Sequence, residues 1–229
     1  MYNLRPNDER SRIAVIFLII TIILDLAYFF SDITEYNMME KINDGIAIDQ
    51  DRADIIGTLQ GLFAIAYTVL LIVTATMFIR WFRRAYYNLS QIVTIDNSEG
   101  WAAGAWFVPI YNLFKPKQIM DELWEKTNRI LSTQTLNYIK QETNIISIWW
   151  ALWIISGIGN NIATRMYLRA ETAEEYMTSI SLSLFMYLFS ISSAIAAIFI
   201  IKRYSKMEYL LTTIREDTSS TLEEIPISL

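Results

Sequence analysis

Residues 80–124 read RWFRRAYYNLSQIVTIDNSEGWAAGAWFVPIYNLFKPKQIMDELW. Three arginines, Arg80, Arg83 and Arg84, open the stretch among Trp81, Phe82, Tyr86 and Tyr87. A glycine-punctuated apolar run follows over 101–114; Pro109 breaks it, and Lys115, Pro116 and Lys117 close it. A run of about 14 residues is too short to cross ~30 Å of hydrocarbon as a helix. Its tryptophans and its proline suit an interface-hugging or re-entrant segment. Longer apolar runs lie on both sides, so the stretch reads as a connector held against one face of a bilayer.

Upstream, residues 55–79 form a run long enough to cross with some tilt. Before it, residues 13–30 are apolar except for Thr21 and Asp25, behind a lead that carries Arg5, Arg10 and Arg12. A basic lead before an apolar run would suit a signal peptide. This run exceeds the usual length and no small-residue cleavage site follows it, so it is read as a retained first span. The intervening 31–54 is acidic, with Asp32, Glu35, Glu40, Asp44, Asp49, Asp51 and Asp54, and has room for a short helix.

Downstream, 96–100 is a turn cluster, and Pro116 suits a first helical position. Ile119, Met120, Leu123, Trp124, Thr127, Ile130 and Leu131 fall at helical spacing opposite Lys117, Asp121, Glu122, Glu125, Lys126 and Arg129. This predicts an amphipathic helix extending towards Asn144. Two further spans are expected over 145–163 and 177–201, joined by a short hairpin. The tail is amphipathic to about Arg215 and expected to be disordered over 216–229. The expected fold is therefore all-α: one integral membrane four-helix bundle over 1–215, with the amphipathic or re-entrant connector 80–144 between spans two and three.

Lysine and arginine set the expected orientation. The lead has three, the connector eight and the tail four, whereas each of the other two loops has two. That bias places both termini and the connector on the cytosolic side of the cell membrane. All seven tryptophans lie on the connector or at the same ends of the spans. The exits of spans two and four, 79–84 and 201–206, share a basic and aromatic pattern. Either they are a parallel duplication or they are the anchors that any span carries.

Composition limits the chemistry. The chain has no cysteine and no histidine. Disulfides, thiolate metal sites, the commonest general base and the cysteine–histidine nucleophile pair are absent with them. No phosphate-cradling glycine loop and no metal-ligand spacing is present. No catalytic residue, cofactor or metal is expected, and the chain does not read as an enzyme.

The order Arg84-Ala85-Tyr86-Tyr87-Asn88-Leu89, then Gly100-Trp101, then 106–116 as WFVPIYNLFKP, then Gln118-Ile119-Met120 and Leu123-Trp124, resembles the domain-of-unknown-function family numbered 4328. The likeness covers the connector strongly and the four-span frame loosely, roughly residues 10–210. The resemblance implies a bacterial multi-pass membrane protein and transfers no catalytic or binding residue.

Three constellations remain. Counted inward from the outer span ends, Asp25, Gln60, Asn160, Asn161, Ser181 and Ser183 sit at roughly 6–9 Å depth. They are expected to form an intramembrane polar layer, either an ion- or proton-responsive site or hydrogen-bonded glue. Ser179, Ser183, Ser190 and Ser193 share one face of the fourth span, and Gly57 and Gly61 one face of the second. Such small faces pack helices closely or line an oligomeric pore. Finally, Arg80, Arg83, Arg84, Trp101, Trp106, Lys115 and Lys117, with Tyr86 and Tyr87, suit phosphates and stacked bases or anionic lipid headgroups.

The leading functional expectation is a homo-oligomeric, channel-like or membrane-permeabilising protein. Its gate would answer a cytosolic ligand (a nucleotide or an oligonucleotide) or a partner protein. The alternatives are a non-conducting scaffold that docks a protein or lipid through the connector, and a small transporter centred on Asp25.

Overall fold

The computed structural model describes residues 3–47, 50–135 and 138–223. Among these the chain is helical without strands: α1 (Asp8–Asn43), α2 (Gln50–Ser90), the short α3 (Trp101–Gly104), α4 (Lys115–Gln134), α5 (Asn144–Tyr167) and α6 (Ala173–Glu223), with a 3-10 turn at Tyr111–Leu113. Four of them, α1, α2, α5 and α6, are long and apolar enough to cross a membrane.

The helices overrun the spans read from hydropathy. α1 continues to Asn43, so most of the acidic segment expected as an outer loop is helix. It stops where Gly45 takes φ +72°. There Gly45 N–H donates to Ile42 (3.0 Å) and Ile46 N–H to Lys41 (2.9 Å), a glycine C-terminal motif that satisfies the last carbonyls. α6 runs 51 residues, to Glu223. It therefore carries helix into the stretch expected to be disordered from Glu216; residues 224–229 lie outside the described residues.

α4 behaves oppositely. It ends at Gln134, with Thr135 extended, rather than continuing towards Asn144. The chain turns back there because Asn128 holds it. Asn128 Oδ1 accepts from the Gln141 N–H (3.0 Å) and the Tyr138 hydroxyl (2.7 Å), and its Nδ2 donates to the Gln141 carbonyl (2.9 Å).

Two compact units divide the chain: Met1–Val15 with Thr76–Ser147 and Ile198–Leu229, and Ile16–Ala75 with Ile148–Ala197. In the first, Trp81, Phe82, Ala85, Tyr86 and Leu89 of α2 are buried at steps of three and four. The predicted apolar face of α4 is buried too, joined by Pro116 and Asn128. Tyr204 of α6 meets Trp81 and Trp124, each at 6.1 Å between ring centroids. Burying a large apolar side chain contributes roughly 1.5–3 kcal/mol, so this aromatic set contributes much of the unit's stability.

The second unit has the reverse pattern. Ile16, Ile19, Ile23, Leu62, Ile65 and Ile72 are exposed along α1 and α2, as expected of helices solvated by hydrocarbon. Close packing occurs at Gly159 of α5, where an added Cβ would overlap Met186 of α6. It does not occur at Gly57 and Gly61, where a Cβ would meet nothing within 4 Å. The close helix approach expected at those two glycines is therefore made elsewhere within the chain.

Candidate functional site

Thr21, Asp25, Tyr28, Asp32 and Glu35 follow one another on α1 at steps of four, three, four and three. That spacing puts them in one line along a helix face. The line faces the other long helices of the second unit, and each carboxylate receives hydroxyl donors from them.

Asp25 is fully buried. The Tyr67 hydroxyl of α2 donates to its Oδ1 at 2.8 Å, and the Ser190 hydroxyl of α6 donates to its Oδ2 at 2.7 Å. Asp32 Oδ2 accepts from the Tyr187 hydroxyl of α6 at 3.1 Å. Glu35, also buried, accepts from the Tyr167 hydroxyl of α5 at 2.8 Å and from the Gln60 amide of α2. At the other end of the line, the Thr21 and Thr74 hydroxyls share a 3.1 Å hydrogen bond.

Tyr28 packs its ring edge-on to Tyr67, 5.3 Å between centroids, and 6.4 Å from Tyr187. Its buried hydroxyl has no hydrogen-bond partner among the described residues. None of the three carboxylates pairs with a lysine or arginine among the described residues. Their partners among the described residues are neutral.

Of the predicted polar layer, then, Asp25 stands in a hydrogen-bonded site, but with different partners. Gln60 joins Glu35 rather than Asp25. Ser181 is exposed and donates to the Met177 carbonyl of its own helix. Ser183 and Asn160 are half-buried and Asn161 exposed, and none is joined to Asp25. Along the serine stripe, Ser179 and Ser193 are buried, and Ser190 is the one that reaches Asp25. Sequence reasoning missed Asp32, Glu35 and the tyrosines. The signal available was the three-and-four spacing of Thr21, Asp25, Tyr28, Asp32 and Glu35, which continues past the end of the first span.

The first unit holds two further polar centres. Glu208 of α6 is buried. It accepts from Asn88 Nδ2 on Oε1 (2.7 Å) and from Asn7 Nδ2 on Oε2 (2.9 Å). Asn88 also clasps the lead, accepting from the Arg5 N–H (3.0 Å) and donating to the Arg5 carbonyl (2.8 Å).

Glu122 of α4 is a hub. It accepts from the Tyr86 hydroxyl (2.6 Å), the Asp96 N–H (2.6 Å), Asn97 Nδ2 (3.2 Å) and Lys126 Nζ (2.8 Å). Burial would raise its pKa, but these donors outweigh burial and hold the carboxyl below the ordinary glutamate range.

The basic and aromatic set is largely engaged inside this unit. Arg83 pairs with Glu99 at 3.0 Å and Lys117 with Asp121 at 2.6 Å. Trp101 stacks on Tyr111, 5.7 Å between centroids. Trp106 meets Phe78 edge-on at 5.7 Å. Arg84 lies 6.0 Å from the Tyr87 ring. Arg80 is exposed, and its carbonyl accepts from Arg10 at 3.4 Å. The structure gathers these residues in one unit but turns two of the cations to carboxylates and Trp106 inward.

The DUF4328 family, a domain of unknown function, matches residues 44–206, more than half of the chain. The chain belongs to this family. In this DUF4328 chain the whole connector lies within the match, as do Gln60, Tyr67, Tyr167, Tyr187 and Ser190. The match begins after α1, so Asp25, Asp32 and Glu35 lie outside it. No curated protein and no solved structure matches the chain.

Proposed function

We propose that this DUF4328 chain is a membrane transport protein that carries or conducts protons along the α1 line, with Asp25 as the exchanging group. The observation that supports this most is a carboxylate fully buried on an apolar helix, held by two hydroxyls and, among the described residues, by no base. A carboxylate in hydrocarbon costs several kcal/mol unless compensated, and intramembrane acids are functional candidates by default. A basic partner would fix the charge. Hydroxyls do not, because a tyrosine or serine donates to the carboxylate and accepts from the acid. Asp25 can therefore gain and lose a proton without its surroundings being dismantled.

Asp32 and Glu35 continue the line about 10 and 15 Å further along the helix rise. Tyr28, whose hydroxyl has no hydrogen-bond partner among the described residues, lies between Asp25 and Asp32 on the helix. Four spans make a thin bundle, so a homo-oligomer is the expected working form, with the open Gly57 and Gly61 face available for assembly. The lysine and arginine bias favours both termini and the connector on the cytosolic side of the inner membrane. A nucleotide-gated pore draws less support, since Arg83 and Lys117 are already paired.

Purified protein in liposomes loaded with a pH-sensitive dye tests the reading. Under an imposed potassium diffusion potential, the wild type should acidify or alkalinise the lumen faster than empty liposomes. Asp25→Asn should lower that rate about tenfold or more while the protein stays folded. Wild-type flux equal to that of empty liposomes, or flux indifferent to Asp25→Asn, would make the carboxylate structural glue and end the proposal.

A further inference from the structure

The connector loop has two faces. Its root is buried: Ala102 and Ala105 are fully hidden, and Trp106 packs on Phe78 and Phe82 at 5.7 and 6.5 Å. Its tip is not. Phe107 is 76% exposed, Ile110 72% and Val108 36%. An apolar cluster presented on a rooted loop is a recognised mark of an interaction site.

The backbone at the tip supports the same conclusion. Ile110 has φ +68° and ψ −50°. The Tyr111 N–H donates to the Pro109 carbonyl at 2.8 Å. Ile110 is thus the central residue of a γ-turn of the rare, strained hand. A β-branched residue with positive φ is unfavourable by about 1–3 kcal/mol, a strain that clusters at functional positions. Glycine would remove the strain; an exposed isoleucine stands there instead.

Two features identify the occupant. Between Trp101 and Lys117 the chain carries Lys115 and Lys117 and no carboxylate. Lys115 pairs with no acid among the described residues. An apolar tip beside a lysine without an acidic partner among the described residues complements a bilayer interface bearing anionic headgroups. The chain also brings the surface with it, since α2 and α5, which flank the connector, are both long and apolar enough to cross a membrane.

We propose that this loop docks on the bilayer in which the protein sits, inserting Phe107, Val108 and Ile110 at the headgroup–acyl boundary with Lys115 beside the phosphates. The two tryptophans that the sequence offers as anchors are not the inserted groups. Trp101 stacks within the loop and Trp106 seats its root.

The chain has no cysteine, so Phe107→Cys and Ile110→Cys each carry one thiol for an environment-sensitive fluorophore. Glu125→Cys, exposed on α4, is the water-facing control. The full chain is reconstituted in phosphatidylcholine–phosphatidylglycerol vesicles, and each label is quenched with brominated lipid and with iodide. Brominated lipid should quench both loop labels about threefold or more strongly than the Glu125→Cys label, and iodide should quench them correspondingly less. Iodide quenching as strong as at Glu125→Cys would place the tip in water and overturn the proposal. Protection from both quenchers would mean that protein covers the tip, and would overturn it equally. The two sites are read separately, so a variant that misfolds leaves the other to decide.

Discussion

Glu122 shows how a charged side chain can organise a loop. Four donors converge on it, from α2, from the turn after it and from its own helix. Its folded pKa lies below the ordinary value of 4.5. The unfolded chain therefore takes up a proton first as the pH falls. The stability from this carboxylate is complete above about 4.5 and is lost as the pH drops through the folded value. Glu122→Gln should lower stability at neutral pH by about 1–3 kcal/mol, because four partly buried or exposed donors lose a charged acceptor. It should also flatten the acid limb, and thermal unfolding followed by tryptophan fluorescence at a series of pH values from neutral downward reads both effects. A variant with the wild-type acid limb would remove Glu122 as its source. Such hubs are hard to read from the sequence. The sequence places Glu122 among the polar residues of α4, and nothing local says that Tyr86 and Asp96 fold back onto it.

Helices were more legible than the contacts between them. The apolar face of α4 follows from a 3.6-residue period, which needs no tertiary information. The four long apolar helices follow from run length alone. The depth of polar residues does not. Counting inward from the expected span ends placed Gln60 level with Asp25. The helix α1 continues to Asn43, however, and there Glu35 takes Gln60 instead. The small-residue rule likewise pointed to Gly57 and Gly61, but any glycine on an apolar helix satisfies it, and the close approach is at Gly159. Gly159→Val should displace Met186 and destabilise the chain by about 1–3 kcal/mol. Gly57→Val, with open space around it, should shift detergent-solubilised unfolding much less. Equal shifts for the two variants would contradict this assignment of the packed face.

Orientation belongs to the chain as a unit, and the basic residues predict it. An impermeant thiol reagent applied to intact cells should label Asn43→Cys and spare Ser98→Cys. The opposite result would reverse the topology and put the connector outside. The unit built from Trp81, Trp124, Tyr86 and Tyr204 hides nearly all the largest fully buried side chains, whereas Ile180 alone represents the other unit among them. That asymmetry has a calorimetric consequence. Only the unit with the hidden aromatic core exposes much apolar surface to water when it comes apart, and only that event should carry a large positive heat-capacity change. Heated in micelles, the protein should lose its near-ultraviolet circular dichroism in one endotherm and keep most of its far-ultraviolet helical signal beyond it.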